Sequence, residues 1–459
     1  MKVPKNIFRQ YDIRGIVGDE VTTELAYMLG KAYGTMLRDH GGSVASVGRD
    51  VRPSSPDLAD ALIDGMRSVG INVINIGVVP TPILYFSLFH LPVHGGIEVT
   101  ASHNPREYNG FKINLGHHVV WGEGIQKLRE IIEKETFART FEKGKVETKD
   151  IRGDYIERLV RDVKIEGELR VAVDAGNGTA GPIIQELYPA IGVKFEGLYL
   201  EPDGTFPNHL PDPTVEKYMQ DLMKLVVTGK FDLGVGFDGD SDRIGAIDEN
   251  GRIIFGDKLL GVFAKAVLRE FPGSTIIFDV KCSKGLVEYI EKLGGKPLMW
   301  KTGHSLLKAK LRETDAPLAG EMSGHIFFND RYYGYDDAIY ASIRLFEILT
   351  QEGRKLSELV AEIPHYYSTP EIRVGCPDDR KFEIVAELVR YFKSQNLNVI
   401  DIDGARIEFE DGFGLVRASN TQPVLVLRFE ARTPERLEEI KNIIISKLRE
   451  YPEVDLSNV

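Results

Sequence analysis

The chain has 459 residues, 42% hydrophobic and 27% charged, with a formal net charge of -12. That length exceeds what one hydrophobic core serves and implies about three or four domains. The negative balance argues against a nucleic-acid or anionic-membrane partner while leaving room for a local basic pocket, and no apolar run of about 18 residues offers a membrane span. Two cysteines far apart, Cys282 and Cys376, and a start Met1-Lys2-Val3-Pro4-Lys5-Asn6 without an apolar signal region point to the cytoplasm.

Along the chain one theme occurs three times: a β-rich run ending in Asp, a small polar loop, then a helical pattern. The runs end at Asp50, Asp174 and Asp279. After the first, Leu58, Leu62, Ile63 and Met66 recur at helical spacing from about Pro56. Alternation of strand and helix predicts α/β layers.

Between the first two repeats lies Thr100-Ala101-Ser102-His103-Asn104-Pro105, which supplies a hydroxyl nucleophile. A lone Ser before Asn-Pro is also an ordinary turn or helix-cap residue. Neighbours in an extended segment point to opposite sides, so His103 is expected to be a poor base for Ser102.

The second repeat contains Gly176, Gly178 and Gly181, a match to the G-x-G-x-x-G dinucleotide fingerprint, with Glu196 about 20 residues on. Nothing near it supplies hydride chemistry, and a tight strand-to-helix turn accounts for the glycines. Farther on, Asp238, Asp240 and Asp242 stand at i, i+2 and i+4. Three such carboxylates repel one another if left bare, so their joint ionisation implies a cation, and an all-oxygen cage suits Mg²⁺, Ca²⁺ or Mn²⁺. With Glu249 they also fill positions 1, 3, 5 and 12 of an EF-hand loop, but Arg243 stands where that loop needs Gly. The flanks read as a strand over 233–237 and a hairpin over 243–255 turning at Asn250-Gly251, which places the triplet on a strand-to-strand loop.

The segment 363–370 reads as a linker and hinge. Beyond it, a helix around 378–394, alternating runs at 398–402, 406–410 and 424–430, and a helix over 434–450 with Leu437, Ile440, Ile444 and Leu448 spaced for burial make a small α+β unit with an antiparallel sheet. Within it Arg417, Ser419, Asn420 and Thr421 offer a charged fork with side-chain and backbone donors, a candidate phosphate cradle or an ordinary polar turn.

Five short motifs in order give the chain a family likeness: Tyr11-Asp12-Ile13-Arg14-Gly15, the stretch from Thr100 to Pro105, the loop from Asp238 to Arg243, Gly320-Glu321-Met322-Ser323-Gly324-His325, and Arg417 to Thr421. Together they resemble the α-D-phosphohexomutases, in particular the bacterial and archaeal phosphomannomutase/phosphoglucomutase group. The family's acidic loop usually has Gly or Ala where Ser241 stands, which leaves the three ligands unchanged.

The resemblance implies a four-domain, heart-shaped α/β enzyme with a central cleft. Its domains are expected at 1–150 with the phosphoserine loop, 151–254 with the metal loop, 255–366 with the sugar-recognition loop, and 367–459 as the α+β domain with the phosphate-binding loop. Ser102 is expected to carry a phosphoryl group, to donate it to a hexose 1-phosphate and to take one back from the 1,6-bisphosphate after that intermediate turns end for end. Asp238, Asp240 and Asp242, with Ser102, are expected to hold one Mg²⁺, and a 1,6-bisphosphorylated hexose to act as activator. A metal that drains charge from the phosphoryl oxygens makes phosphoserine a good donor. The family likeness nominates Lys112 and His304 as acid and base. Arg14, Arg243 and Lys281 are placed to stabilise charge on the transferring group. Glu321 and Ser323 are expected to read O3 and O4 of the sugar, with Tyr11 and His325 as further substrate contacts. Glucose and mannose differ only at C2, so a grip on O3 and O4 implies dual specificity.

Met322 bears on the runner-up activity, because phosphoglucosamine mutases of the superfamily typically have Gln at that place. A sugar phosphatase, and a sugar-phosphate-binding protein without turnover, are the remaining alternatives. The expected partner is a hexose phosphate, and the expected assembly a monomer or weak homo-oligomer.

Overall fold

Each of the three repeats becomes a strand whose last residues deliver a buried Asp to a loop. The strands are Val44–Arg49, Arg170–Asp174 and Thr275–Asp279. Asp50 accepts from Arg52 N, Asp174 from Gly176 N and Asp279 from Met322 N, at 2.8 to 3.0 Å. The repeated Asp thus satisfies loop N–H groups that the end of a strand leaves unpaired. The computed structural model describes residues 3–420, 422–457 and 459. The chain divides into two units, Met1–Leu259 with Ser323–Glu358, and Leu260–Met322 with Leu359–Val459.

The first unit holds two mixed sheets. In one, Val44–Arg49 lies between the parallel neighbours Asn72–Val78 and Gly95–Val99, and Gly95–Val99 pairs antiparallel with Tyr108–Leu115. That last strand pairs in turn with Ile13–Ile16, setting Arg14 opposite Gly110. The helix Ser55–Ser68 buries Leu58, Leu62, Ile63 and Met66, as their spacing predicts. In the other sheet, Leu233–Phe237 runs parallel to Arg170–Asp174 and antiparallel to Ile244–Asp248, which pairs antiparallel with Ile253–Ile254. Strands buried on both faces read as continuous apolar runs, and all five residues of Leu233–Phe237 are buried.

The acidic triplet therefore sits on a strand-to-strand loop, not between EF-hand helices. The glycine fingerprint is packing as well: a Cβ on Gly178 would lie 2.7 Å from Gly239 O, and one on Gly181 1.8 Å from Leu200 O.

In the second unit, Thr275–Asp279 lies between Lys296–Trp300 and Leu318–Gly320, all parallel. Its other sheet is antiparallel, running Tyr367–Ser368, Val424–Ala431, Gly412–Ala418, Ala405–Phe409, Asn398–Ile400, with Ile372–Gly375 also on Val424–Ala431. Helices Lys381–Ser394 and Pro434–Leu448 cover it, the latter burying Ile440, Ile444 and Leu448, with Leu437 half-buried against the same core. Tyr367 and Ser368 of the expected linker already belong to this sheet. The strand Gly412–Ala418 stands where sequence patterning shows only glycines and a polar turn. A Cβ on Gly414 would come within 2.1 Å of Ile444, so the helix packs directly on that backbone. Among the described residues no helix is long and apolar enough to cross a membrane.

Candidate active site

Ser102 lies in the turn between Gly95–Val99 and Tyr108–Leu115, in the left-handed region with φ 51°, a conformation uncommon for a residue with a Cβ. Its N–H donates to Thr100 Oγ1 at 2.9 Å, and its Oγ donates to Asp238 Oδ2 at 2.7 Å. His103 Nδ1 lies 3.0 Å from the same Oγ. This corrects the expectation that His103 points away, which assumed extended backbone; the left-handed turn at Ser102 swings the neighbouring imidazole alongside the hydroxyl.

The strand Leu233–Phe237 ends at Asp238, whose Oδ1 accepts from the N–H groups of Asp242 and Arg243, both at 3.0 Å. Ser241 N closes the turn on Asp238 O at 3.1 Å, with Ser241 itself at φ 63°. A left-handed position favours Gly, and here the Ser hydroxyl pairs with Thr179 Oγ1 at 2.9 Å. The loop brings one oxygen each from Asp238, Asp240 and Asp242 within 4.8 Å of one another, all three residues fully buried.

Lys112, on Tyr108–Leu115, reaches into this cluster, donating from Nζ to Asp240 Oδ2 at 2.5 Å and to Asp242 Oδ2. Thr81 Oγ1 also donates to Asp240 Oδ2, at 2.5 Å. Burial and repulsion from Asp242 and Asp240 push the Asp238 carboxyl well above its ordinary range. Burial also works against charge on Asp242, but the cations Lys112 and Arg243 help to outweigh it and that carboxyl lies below its ordinary value. For Lys112, burial opposes the charge and the carboxylates overcome it, so the ammonium stays protonated beyond its usual range.

One ammonium does not balance three buried carboxylates. Asp240 Oδ1 and Asp242 Oδ1 are buried without a hydrogen-bond partner, which is costly unless something else binds them. An oxygen-only cage with two orphaned carboxylate oxygens fits a hard divalent cation.

Arg243, next to the cage, donates from Nε to His325 Nε2 at 2.8 Å and stands 4.0 Å from Asp238 Oδ2. His325 Nδ1 lies 2.8 Å from Asp336 Oδ2. The two contacts are consistent only with the tautomer that carries its proton on Nδ1. Arg14 donates to Asn104 Oδ1 at 2.6 Å and Asp12 Oδ2 at 2.5 Å, touching the Ser102 turn from the edge strand. Tyr11 is half-buried just before that strand, and Ser323 is half-buried in the first unit. Ser102, the triplet, Lys112, Arg14, Arg243 and His325 are thus gathered in the first unit. Sequence reasoning missed Thr81 and Asp336, whose contacts with Asp240 and His325 follow no motif, and the role of Thr100 within the motif it opens, where it joins Ser102 N to Asp50.

The remaining nominated residues lie in the second unit. Glu321 Oε1 accepts from Gly303 N at 2.6 Å, which sets it beside His304, the first residue of the helix His304–Thr314. Asp279 binds Thr302 Oγ1 at 2.8 Å as well as Met322 N. Asp403 accepts from Thr302 N at 2.9 Å and pairs with Arg417 Nη2 at 3.1 Å. Lys281 lies 3.2 Å from Glu371 and 3.9 Å from Asp279. Burial opposes its charge, but Glu371 and Asp279 prevail and raise its pKa; in return Lys281 draws the Glu371 carboxyl down to about 2. Ser419 Oγ accepts from Gln422 N at 3.1 Å, and Asn420 is half-buried beside it. Thr421 lies outside the described residues. Asp279 was visible in the sequence as the end of the third repeat, although its hold on the loops around Glu321 and His304 was not; Asp403 gave no signal.

Comparison with known proteins agrees along the whole chain. Four models of the phosphoglucomutase/phosphomannomutase family match: alpha/beta/alpha domain I at residues 5–139, domain II at 153–251, domain III at 255–367 and the C-terminal domain at 371–447. A phosphomannomutase/phosphoglucomutase of Pseudomonas aeruginosa is 46% identical over 447 residues, covering 97% of this chain and 96% of that one. A phosphoglucomutase of Neisseria meningitidis is 43% identical over 442 residues, covering 96% of each. The crystal structure of a phosphoglucomutase/phosphomannomutase family protein from Burkholderia thailandensis superposes with a TM-score of 0.91 at 42% identity, over 98% of each chain.

Proposed function

The chain belongs to the phosphoglucomutase/phosphomannomutase family, and from that premise we propose that it is a phosphohexomutase interconverting the 1- and 6-phosphates of mannose and of glucose. It is an isomerase, an intramolecular phosphotransferase working through a phosphorylated Ser102 and a 1,6-bisphosphate that turns over between two transfers. The observation that carries the assignment of roles is Ser102 Oγ at 2.7 Å from Asp238, within a buried three-carboxylate cage that retains two unpartnered oxygens. We assign the domains to 1–150, 151–254, 255–366 and 367–459, in keeping with the four matched family models.

Asp238, Asp240 and Asp242 hold one Mg²⁺, with an oxygen on Ser102 as a further ligand. When bound, the ion withdraws charge from the phosphoryl oxygens and makes phosphoserine a better donor. In the first transfer the bond from Ser102 Oγ to phosphorus breaks as the sugar hydroxyl bonds that phosphorus, the hydroxyl proton passing to a base and Ser102 Oγ regaining one from an acid. In the second the bond from phosphorus to the other phosphorylated sugar oxygen breaks as Ser102 Oγ gives its proton to a base and takes the phosphoryl group back, and an acid protonates the sugar oxygen left behind. Lys112 and His304 serve as acid and base, and Arg14, Arg243 and Lys281 meet the charge on the moving group. Arg417, Ser419, Asn420 and Thr421 bind the phosphate that is not transferred. Glu321 and Ser323 accept and donate hydrogen bonds at the sugar hydroxyls, with Tyr11 and His325 as further contacts. A 1,6-bisphosphate rephosphorylates enzyme that has lost its phosphate. The protein acts in the cytoplasm, as a monomer or weak homo-oligomer.

Phosphorus NMR tests this with mannose 1-phosphate, glucose 1-phosphate and glucosamine 1-phosphate, each with Mg²⁺ and a trace of its 1,6-bisphosphate. Conversion of the first two to 6-phosphates is expected. Preference for the third would make the protein a phosphoglucosamine mutase. Release of inorganic phosphate alone would make it a phosphatase, and binding without turnover a sugar-phosphate-binding protein.

A further inference from the structure

Arg52 makes more hydrogen bonds to the Ser102 turn than any residue within that turn. Arg52 is 1% exposed, and all five N–H donors of its guanidinium are used. Nε donates to Asp50 Oδ2 at 3.0 Å. Nη2 donates to Ser102 O at 2.8 Å and Asn104 O at 2.5 Å, and Nη1 to Pro105 O at 2.6 Å and Tyr108 O at 3.1 Å. The Phe206 ring, its centroid 5.1 Å from the guanidinium carbon, covers the group. Asp50 extends the hold to the other side of Ser102: its Oδ2 accepts from Thr100 Oγ1 at 2.7 Å, and that Oγ1 accepts from Ser102 N at 2.9 Å. Both backbone groups of Ser102 thus lead back to one ion pair. On the far side the metal loop presses close, since a Cβ on Gly239 would lie 2.5 Å from Ser102 O.

A left-handed serine persists only where its surroundings over-determine it, and four carbonyls gathered on one planar fork do so. We propose that Arg52, fixed by Asp50, is a positioning residue that sets the left-handed Ser102 turn and so aims Oγ at the metal cage. It rests on Ser102 being the phosphoryl carrier. Arg52 is buried away from solvent and acts through the turn, so its loss displaces the nucleophile and leaves substrate binding alone. A buried Lys in its place keeps a charge beside Asp50 but offers three donors from one point, too few for four carbonyls and a carboxylate.

Steady-state kinetics of Arg52→Ala and Arg52→Lys with glucose 1-phosphate test this, beside the parent and Ser102→Ala. Displacement of a reacting group predicts kcat lower by ~100-fold in both Arg52 variants, with KM within about threefold of the parent. Methylguanidine should restore much of the lost kcat to Arg52→Ala and none to Ser102→Ala. Parent-like kcat in both folded variants, or a raised KM with kcat unchanged, would overturn the inference. If Arg52→Ala does not fold, Arg52→Lys is judged by the same split. Parent-like turnover in Ser102→Ala would instead overturn the functional assignment on which the inference depends.

Discussion

Replacing Lys112 by Met separates the two cations that compete for the acidic cage. In the structure the Lys112 side chain is 4% exposed, and its Nζ is bound to Asp240 and Asp242 among three buried carboxylates. Removing one partner of a buried ion pair costs about 3–5 kcal/mol. Proton uptake by the stranded carboxylates relieves part of this, so the lower value, about 3 kcal/mol, is expected. At about 2.1 cal/mol/K of unfolding entropy per residue, a cooperative block of roughly 300 residues moves by about 1.6 °C per kcal/mol, so the transition of the first unit should fall by ~5 °C in EDTA. Saturating Mg²⁺ binds the carboxylates that the ammonium vacates, and stabilises the variant more than the parent by mass action. Calorimetry of both proteins in EDTA and in Mg²⁺ measures this. A variant as stable as the parent in EDTA, or equal Mg²⁺ shifts in the two, would refute the competition.

Asp336→Asn should lower kcat ~100-fold with KM nearly unchanged, because Asp336 fixes the His325 tautomer that receives Arg243; a changed KM at parent kcat would assign Asp336 to binding. Arg417→Ala should raise KM for glucose 1-phosphate about 30-fold, the worth of ~2 kcal/mol in charged hydrogen bonds, and an unaltered KM would take Arg417 out of the anchor. Glu371 ionises near 2, below its ordinary 4.5, chiefly because Lys281 lies beside it. Its stabilisation is therefore full above about pH 4.5 and fades as pH falls toward 2, and partial exposure keeps it near ~1–2 kcal/mol. Glu371→Gln should be less stable than the parent at pH 7 and equal to it near pH 2 in denaturant titrations; a constant difference across that range would mean the charge is not responsible.

Chemistry confined to a few adjacent residues was legible in the sequence, and chemistry assembled across the fold was not. The spacing of Asp238, Asp240 and Asp242 announces a cage, and the structure brings their oxygens together with Ser102. The apolar spacing of Leu58, Leu62, Ile63 and Met66 announces a helix face that is indeed buried. By contrast Arg52 meets Ser102 and its neighbours across some fifty residues, and Thr81 meets Asp240 across 159, so no local pattern records either contact. The strand Gly412–Ala418 escaped notice because Gly412 and Gly414 interrupt alternation; close helix packing over Gly414 explains why a side chain is missing there. His103 was misjudged because side-chain alternation holds only in extended backbone, and Ser102 leaves it.

Phosphopeptide mapping after brief exposure to radiolabelled glucose 1,6-bisphosphate and Mg²⁺ tests the central claim most directly. The account predicts label on Ser102 alone, lost from the protein when unlabelled glucose 1-phosphate is added and recovered as sugar phosphate. Label on another residue, or a Ser102→Ala protein that takes up label and passes it to the sugar as the parent does, would contradict it.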